Sequence, residues 1–283
     1  MNLDESLVRV LACPRCHGPI DVGPTRLACK AERCGYAGRV DNGVLLFADG
    51  GASSFFDERT DAMDRVVNDP GTRALFYEAQ GEAAQRHLAG APVILDVGCG
   101  AALQYPRPSG SRVIGLDLSI GLLRQNKDLD VAVYGSATEL PIGDRSVDRV
   151  VCFYAVHHFV GGSVAANRGT VERAFAEFGR VLRPGGELLV FDLSPWWLVW
   201  RAQCMAWNGV RRMLGSRLDM FFWRANDLEQ LAARQLGRPA HLDREVFGGD
   251  PLMFIPAGVG LSWLRVPRVL YPFKICLYRW RLA

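Results

Sequence analysis

The feature that most constrains the fold is an apolar run that enters a glycine turn and is followed by a second run that ends in an acid. Val93–Gly100 reads Val-Ile-Leu-Asp-Val-Gly-Cys-Gly, and Arg112–Asp117 is the second run. A buried strand before a glycine turn, then a strand with an acid at its tip, is typical of a doubly wound parallel sheet. In such a sheet that acid can accept the ribose hydroxyls of a nucleoside. We therefore predict an α/β fold with a nucleoside site at the carboxyl edge of its sheet.

Composition limits the class of protein. The 283 residues are 49% hydrophobic and 22% charged, which excludes a mainly disordered chain and a collagen-like one. The formal net charge of +3 is too small to imply nucleic acid by itself. Asp4 and Glu5 stand where a signal peptide would have basic residues, and no run reaches the ~18 apolar residues of a membrane span. We expect a cytoplasmic protein without a transmembrane segment.

Four of the eight cysteines crowd into the first 34 residues, as Cys13, Cys16, Cys29 and Cys34. Four thiolates from two tight turns make a closed tetrahedral site for Zn²⁺, which would be structural rather than catalytic. Two short strands alone bury too little surface to fold, so the metal would supply that energy. A reduced, metal-free or redox-active cysteine pair stays open as the alternative. The segment resembles the zinc ribbons that accompany methyltransferases, as separate activator proteins or fused to their N-terminus.

Residues from about 92 to 193 resemble class I S-adenosylmethionine-dependent methyltransferases. Five matches follow in the family's order: Leu95–Gly100, Gly115–Ser119, Gly135–Ile142, Val147–Val151 and Arg180–Gly186. The resemblance implies a Rossmann-like, seven-stranded sheet of the methyltransferase type, preceded here by the small β zinc ribbon. We predict a zinc-ribbon domain at 1–47, a linker and helical lead-in at 48–91, and a methyltransferase domain at 92–283 with a Trp-rich substrate region at 194–283.

The resemblance also implies which residues bind S-adenosylmethionine. The glycine turn would approach the methionine part of the cofactor, the acid before it would orient that turn, and the second acid would bind the ribose. A later turn would lie against the adenine, and an aromatic residue after the fourth strand would lie beside the cofactor. These residues are Asp96, Gly98, Cys99 and Gly100, then Asp117 and Leu118, then Ser136 and Ala137, and Phe153.

Three departures from the family pattern bear on cofactor binding. Ala102 stands where the family usually has a third glycine, and Ser136 stands where it often has an acid near the adenine. Pro106 and Pro108 cut short the helix that should follow the first motif. A cofactor-binding relative without activity, acting as a zinc-ribbon partner protein, is therefore an open alternative.

The segment Phe153–Phe159 follows the fourth predicted strand, which places it at the carboxyl edge beside the cofactor. An oxygen acceptor benefits from a base, and histidine has a suitable pKa near neutrality. We take His158 before His157 as the candidate catalytic base, with Tyr154 as a lesser candidate. The histidines could instead cap the next helix or shape the pocket.

The last third of the chain should supply the acceptor pocket. From Arg201 onward it holds 13 basic and 6 acidic residues, a net of +7, and all seven tryptophans lie in Trp196–Trp280. We predict a helix over Pro195–Leu214 and late strands after Val269. The aromatic residues could line an apolar pocket under a lid, form an interfacial helix that contacts a membrane surface, or pack as plain core.

We therefore expect an enzyme that methylates an oxygen or nitrogen of a bulky, largely apolar or aromatic small molecule, such as those of secondary metabolism. The alternative function is an rRNA guanine methyltransferase that uses its ribbon, aromatic residues and arginines for RNA. Nucleic acid is the less favoured partner, because the ribbon segment Leu7–Cys34 is only mildly basic.

Overall fold

The computed structural model describes residues 4–48, 77–215, 218–236, 240–247, 252–253, 265–266 and 270–283. Its helices are α1 (Glu5–Val8), α2 (Glu78–Leu88), α3 (Ile120–Gln125), α4 (Val164–Val181), α5 (Trp197–Leu214) and α6 (Ala225–Gln235), with a 3₁₀ turn at Val156–His158. The first strands are β1 (Ile20–Val22), β2 (Arg26–Cys29), β3 (Ala37–Asp41), β4 (Val44–Leu46), β5 (Val93–Val97), β6 (Arg112–Asp117) and β7 (Val131–Tyr134). The later strands are β8 (Val147–Phe153), β9 (Leu182–Pro195), β10 (Ala240–Phe247), β11 (Leu252–Met253), β12 (Arg265–Val266) and β13 (Phe273–Leu282).

One large sheet organises the fold. Its eleven strands run in the order β1-β2-β3-β4-β7-β6-β5-β8-β9-β13-β10, and β11 pairs with β12 separately. Strands β4 to β9 pair in parallel, whereas β13 and β10 are antiparallel additions at one end. The seven strands from β7 to β10 form the predicted doubly wound sheet. The whole sheet has eleven strands rather than seven, because β1 to β4 of the N-terminal segment continue it beyond β7.

The N-terminal segment joins the sheet through β4. Leu45 pairs in register with Val133 of β7, and Ala12 N donates to the Pro141 carbonyl at 2.9 Å. Leu27 and Leu45 are fully buried and belong to the same hydrophobic core as Leu116. The four-cysteine segment and the parallel sheet therefore share one core. The predicted division into domains remains a prediction.

Helices cover both faces of the parallel sheet. On one face α4 buries Phe175 and Phe178, and Trp280 of β13 packs edge-on against Phe175. On the other face α2 packs Leu88 into a second core. The buried residues of α4 recur at helical spacing, and the helix ends at Val181, before Pro184. Proline cannot continue a helix, so the chain leaves it as β9.

The chain between β5 and β6 has no helix, since residues 98–111 form turns and bends. The two prolines at Pro106 and Pro108 were expected to shorten this helix, and here it is absent. Ser119 caps the N-terminus of α3, because its hydroxyl accepts from Leu122 N at 3.3 Å. The tail pairs as predicted, and Arg281 of β13 donates to Glu187 at 2.7 Å.

Two other predictions concern segments that lie only partly within the described residues. The helix of the lead-in predicted at 48–91 begins at Glu78 within the described range, and residues 49–76 lie outside it. Part of the predicted substrate region, residues 254–264, also lies outside the described residues. None of the helices in the described ranges combines the length and the apolar character that crossing a membrane requires.

Candidate active site at the carboxyl edge of the sheet

The glycine turn after β5 is held against the tip of β6. Gly98 N donates to the Leu116 carbonyl at 2.7 Å, and Gly100 N donates to Asp117 Oδ2 at 3.0 Å. The other oxygen of Asp117, Oδ1, accepts from Ser119 N at 2.8 Å. Two backbone N–H groups from different loops therefore orient one carboxylate at the sheet edge.

The two glycines of this turn have different surroundings. Both have left-handed backbones, with φ of 74° at Gly98 and 58° at Gly100. A Cβ on Gly98 would lie 2.4 Å from Ala155 Cβ, so this glycine permits close packing against the loop after β8. A Cβ on Gly100 would meet no atom within 4 Å. Gly100 therefore borders open space at the edge of the sheet.

Asp96 lies beneath the turn and is almost fully buried. Its Oδ2 accepts from the Tyr105 hydroxyl at 3.0 Å, whereas its Oδ1 is buried without a hydrogen-bond partner among the described residues. Burial, with repulsion from Asp117, raises the pKa of Asp96 to about 7, although the Tyr105 hydrogen bond opposes this rise. A cation at this edge would be attracted to both carboxylates.

Two residues that support the turn were missed by the sequence analysis. The buried Asn126 carboxamide donates to the Gly100 carbonyl at 3.0 Å, and Tyr105 orients Asp96. Asn126 follows the end of α3, and Tyr105 lies in the chain that replaces the expected helix. Neither residue belongs to a motif, so only the folded contact identifies it.

The predicted adenine turn lies beside Asp117. Gly135 N donates to the Asp117 carbonyl at 3.2 Å, which brings Ser136 and Ala137 to the same edge. The Ser136 hydroxyl lies 2.8 Å from that of Thr138 and accepts from Thr138 N at 3.2 Å. Ser136 therefore already stabilises its own turn. Leu118 is 44% exposed, and Cys99 is buried under the turn.

Aromatic residues follow β8 as expected. The Phe153 ring stacks on Phe191 with centroids 4.2 Å apart, and Tyr154 N donates to the Phe191 carbonyl at 2.8 Å. The Tyr154 hydroxyl donates to Oε1 of Gln80 on α2, a contact that the sequence did not reveal. Burial, with a contribution from Tyr77, raises the pKa of Tyr154 well above its usual value. The phenol therefore stays protonated near neutrality and is poorly suited to act as a base.

His157 forms a buried pair with Asp192 at the end of β9. Its Nδ1 lies 2.7 Å from Asp192 Oδ1, and its backbone N donates to Asp192 Oδ2 at 3.0 Å. Leu193 N is a third donor to the same carboxylate, at 2.7 Å. An ionised carboxylate only accepts hydrogen bonds, so it selects the tautomer with the proton on Nδ1. The Nε2 lone pair is then available as a proton acceptor.

His158 has a different environment. Its Nδ1 lies 3.1 Å from the Asp219 carbonyl and 3.4 Å from the Asp219 carboxylate. Burial first, and then repulsion from His157, lower the pKa of His158, even though Asp219 opposes this change. The two imidazole centroids are 4.2 Å apart. The imidazole of His158 thus stays neutral to a lower pH than an exposed histidine would.

A cavity of about 410 Å³ opens beyond the carboxyl end of β9. Its lining includes Ser194, two residues after Asp192, so one wall lies about 7 Å along the strand from that carboxylate and on the same sheet face. Two tryptophans and three basic side chains contribute to this lining. They are Trp196, Trp197, Arg224, Arg244 and Lys274.

The four N-terminal cysteines converge as predicted. Their Sγ atoms all lie within 4.8 Å of one another, with Cys13 and Cys34 at 3.6 Å and Cys16 and Cys29 at 3.5 Å. Sulfur ligands about 2.3 Å from a tetrahedral zinc would lie roughly 3.8 Å apart. The arrangement therefore has the donor type, number and spacing of a closed zinc site.

Comparisons with known proteins agree with the fold. Residues 95–190 match the family model described as a methyltransferase domain. Malonyl-[acyl-carrier protein] O-methyltransferase of Yersinia pestis is 37% identical over 107 residues, which cover 36% of this chain and 37% of that protein. Demethylmenaquinone methyltransferase of Symbiobacterium thermophilum is 30% identical over 152 residues, covering 48% and 55%. The chain thus spans at most about half the length of these two relatives.

A solved structure shares the fold at low sequence identity. Phosphoethanolamine N-methyltransferase 2 of Haemonchus contortus aligns with a TM-score of 0.54 and 14% identity, covering 82% of this chain and 59% of that one. Residues 95–190 therefore resemble a methyltransferase domain, and the likeness to this solved structure shows that the chain has the fold of a methyltransferase of known structure.

Substitution of Gly98 or Gly100 by alanine should separate the effect of the turn on stability from its effect on cofactor binding. Gly98→Ala adds a Cβ that collides with Ala155 and should lower the free energy of unfolding by about 1–3 kcal/mol. Gly100→Ala should cost only about 1 kcal/mol, because its Cβ enters open space, but it should weaken S-adenosylmethionine binding. Urea unfolding and calorimetry measure the two effects. Unchanged cofactor affinity in Gly100→Ala would contradict the placement of the cofactor at this turn.

Proposed function

We propose that this chain transfers a methyl group from S-adenosylmethionine to an oxygen or nitrogen of a bulky small molecule. The observation that carries the proposal is the contact of Asp117 with Gly100 at the carboxyl edge of a methyltransferase-type sheet. The acceptors named for the curated relatives, a malonyl group on a carrier protein and demethylmenaquinone, support small or carrier-bound acceptors in general.

The residues at the edge fit S-adenosylmethionine. The open space beside Gly100 leaves room for the ligand, and the Asp117 carboxylate, oriented by backbone N–H groups, is an acceptor of the type that ribose hydroxyls need. The partnerless Oδ1 of Asp96 and the carboxylate of Asp117 complement a cationic sulfonium. When bound, the cofactor supplies an activated methyl group, so the protein mainly has to align donor and acceptor.

The paired histidines are the proposed source of a base. We now favour His157 over His158, because Asp192 fixes the tautomer that leaves the Nε2 of His157 as a proton acceptor. His157 is also nearly buried, and its ring stacks on Phe222 with centroids 4.9 Å apart. His157 would accept the proton of an acceptor hydroxyl, and Asp192 would stabilise the resulting imidazolium.

The cavity beyond β9 is the proposed acceptor site. Ser194 connects it to the Asp192 end of the strand, and Trp196 and Trp197 give it aromatic surface. Lys274 and Arg224 add positive charge to the same lining. An acceptor with an apolar body and an anionic group fits this lining better than the wholly apolar acceptor that the tryptophans alone suggested.

The cysteine cluster is the proposed structural Zn²⁺ site. The four ligand atoms satisfy a closed tetrahedron and leave no position for a substrate. The sheet contact of β4 with β7 means that order imposed by the metal would extend into the methyltransferase sheet.

Loss of the Asp117 carboxylate should weaken cofactor binding. Asp117→Ala should reduce S-adenosylmethionine affinity by about 1–3 kcal/mol, since a charged hydrogen-bond acceptor is removed. Asp117→Asn retains one acceptor oxygen and should give a smaller loss. The exposed Asp21→Ala serves as the control and should bind like the unmodified chain. Calorimetry provides the readout, and equal affinity in Asp117→Ala and the control would refute the ribose assignment.

Loss of the His157 imidazole should slow O-methylation. His157→Gln should reduce the rate on phenolic acceptors by about 10²–10⁴-fold, the typical contribution of a positioned base, while cofactor affinity stays unchanged. Asp192→Asn should lower the rate in the same direction because the tautomer is no longer selected. Formation of S-adenosylhomocysteine across an acceptor panel measures this. A larger loss in His158→Gln than in His157→Gln would assign the base to His158 instead.

Removal of zinc should destabilise the whole sheet. We expect about one zinc ion per chain by elemental analysis, and a lower thermal midpoint after chelation. All seven tryptophans lie in Trp196–Trp280, so their fluorescence reports the effect far along the chain from the cysteines. Cys29→Ser should lose the metal, whereas Cys204→Ser, outside the cluster, should retain it. If the chain contains no metal and the chelator leaves the thermal midpoint of its tryptophan fluorescence unchanged, this role is ruled out.

A further inference from the structure

Exposed apolar side chains are concentrated on one helix. Within the described ranges nine large hydrophobic residues are exposed, and six of them lie between Trp196 and Leu214. On α5 itself, Leu198 is 70% exposed, Met205 is 79% exposed and Met213 is 85% exposed. Single exposed apolar residues are ordinary, but a contiguous group on one element marks an interaction site.

Helical spacing places these side chains on one face. Leu198, Met205 and Met213 are seven and eight residues apart, so they project to the same side of α5. Trp207 lies on the opposite side, where it is buried and packs edge-on against Phe221 with centroids 5.0 Å apart. The helix is therefore anchored by its inner side. We name the exposed side the α5 outer face, formed by Leu198, Arg201, Met205, Arg212 and Met213.

The charge of this face has a single sign. Between Trp197 and Leu214 the chain has three arginines and no acidic residue. Arg201 and Arg212 flank the apolar stripe and are exposed, and Arg201 lies over the Trp197 ring with its guanidinium carbon 5.4 Å from the centroid. Apolar side chains flanked by exposed arginines and a tryptophan are the pattern of a helix that lies in a membrane interface.

We propose that the α5 outer face docks the protein onto an anionic lipid surface. The three apolar side chains would enter the boundary between headgroups and acyl chains, and the two arginines would contact lipid phosphates. The helix would lie parallel to the membrane plane. No helix among the described residues is long and apolar enough to cross a bilayer. This docking is independent of the proposed methyl transfer.

Lipid is the occupant that this chemistry favours. An RNA partner would use the arginines and stack on aromatic rings, but it would leave Leu198, Met205 and Met213 in contact with water. A protein groove could accept the apolar stripe, but it would match the arginines only if acidic residues flanked it. Anionic lipid satisfies both halves of the face, because its headgroups are negative and its interior is apolar.

The test is sedimentation of the 283-residue chain with vesicles. Vesicles of phosphatidylglycerol mixed with phosphatidylcholine are compared with vesicles of phosphatidylcholine alone, at low and high salt. We expect binding to the anionic vesicles and a shift of tryptophan fluorescence to shorter wavelength. Met205→Gln with Met213→Gln should reduce partitioning roughly tenfold, since the apolar contact is lost. Arg201→Gln with Arg212→Gln should remove the preference for anionic lipid.

Leu270→Gln is the matched control, because Leu270 is 65% exposed but lies outside α5. It should sediment like the unmodified protein. Calorimetry with S-adenosylmethionine checks that every variant is folded, and it separates failure of docking from failure of the proposed function. Equal partitioning of the methionine variant and the unmodified protein would overturn the proposal. The proposal would also be overturned if the chain formed a dimer that the methionine variant abolished. It would likewise be overturned if an RNA oligonucleotide displaced the protein from the vesicles.

Discussion

The parallel pairing of β4 with β7 is the interaction on which the remaining architecture depends. Without β4, β7 would be an edge strand with unpaired backbone N–H and C=O groups. Leu46 pairs with Tyr134 at the end of β7, and Phe47 N donates to the Tyr134 carbonyl at 2.9 Å. The next residue, Gly135, donates to Asp117. The cysteine segment therefore lies against the strand that leads into the proposed adenine turn, and its order bears on the cofactor edge.

Local sequence patterns predicted the elements of the fold but not their assembly into one sheet. The apolar face of α4 and the Ser119 cap of α3 are decided by neighbouring residues, and so is the break at Pro106 and Pro108, although the helix expected there is absent rather than shortened. The pairing of β4 with β7 joins residues almost ninety positions apart. Both strands are short and apolar, and nothing in such a run specifies its partner, so the sheet was expected to have seven strands instead of eleven.

The residues of the candidate site could likewise be predicted where they belong to local motifs, but not where they depend on contacts between distant parts of the chain. Asp117 and the two glycines could be predicted because they belong to ordered motifs. Asn126 beneath Gly100 and Asp192 beside His157 depend on contacts 26 and 35 residues apart. A signal for Asp192 was present, because it follows a buried strand just as Asp117 does. From the sequence alone Asp192 marks only the end of an apolar run, since its partner His157 is not adjacent in the chain.

Charge is distributed unequally along the carboxyl edge of the sheet, and this distribution gives the proposed reaction a direction. Asp96 and Asp117 lie at the tips of β5 and β6, where a sulfonium would be attracted. Lys274 and Arg224 line the cavity beyond β9, where an anionic group would be attracted. The strand order places β8 between β5 and β9, so the His157 that follows β8 lies between the two regions. The negative region would repel an anionic acceptor, and the positive region would repel the cationic sulfonium, so each ligand would favour its own site. The methyl group and the acceptor atom would then meet beside the imidazole.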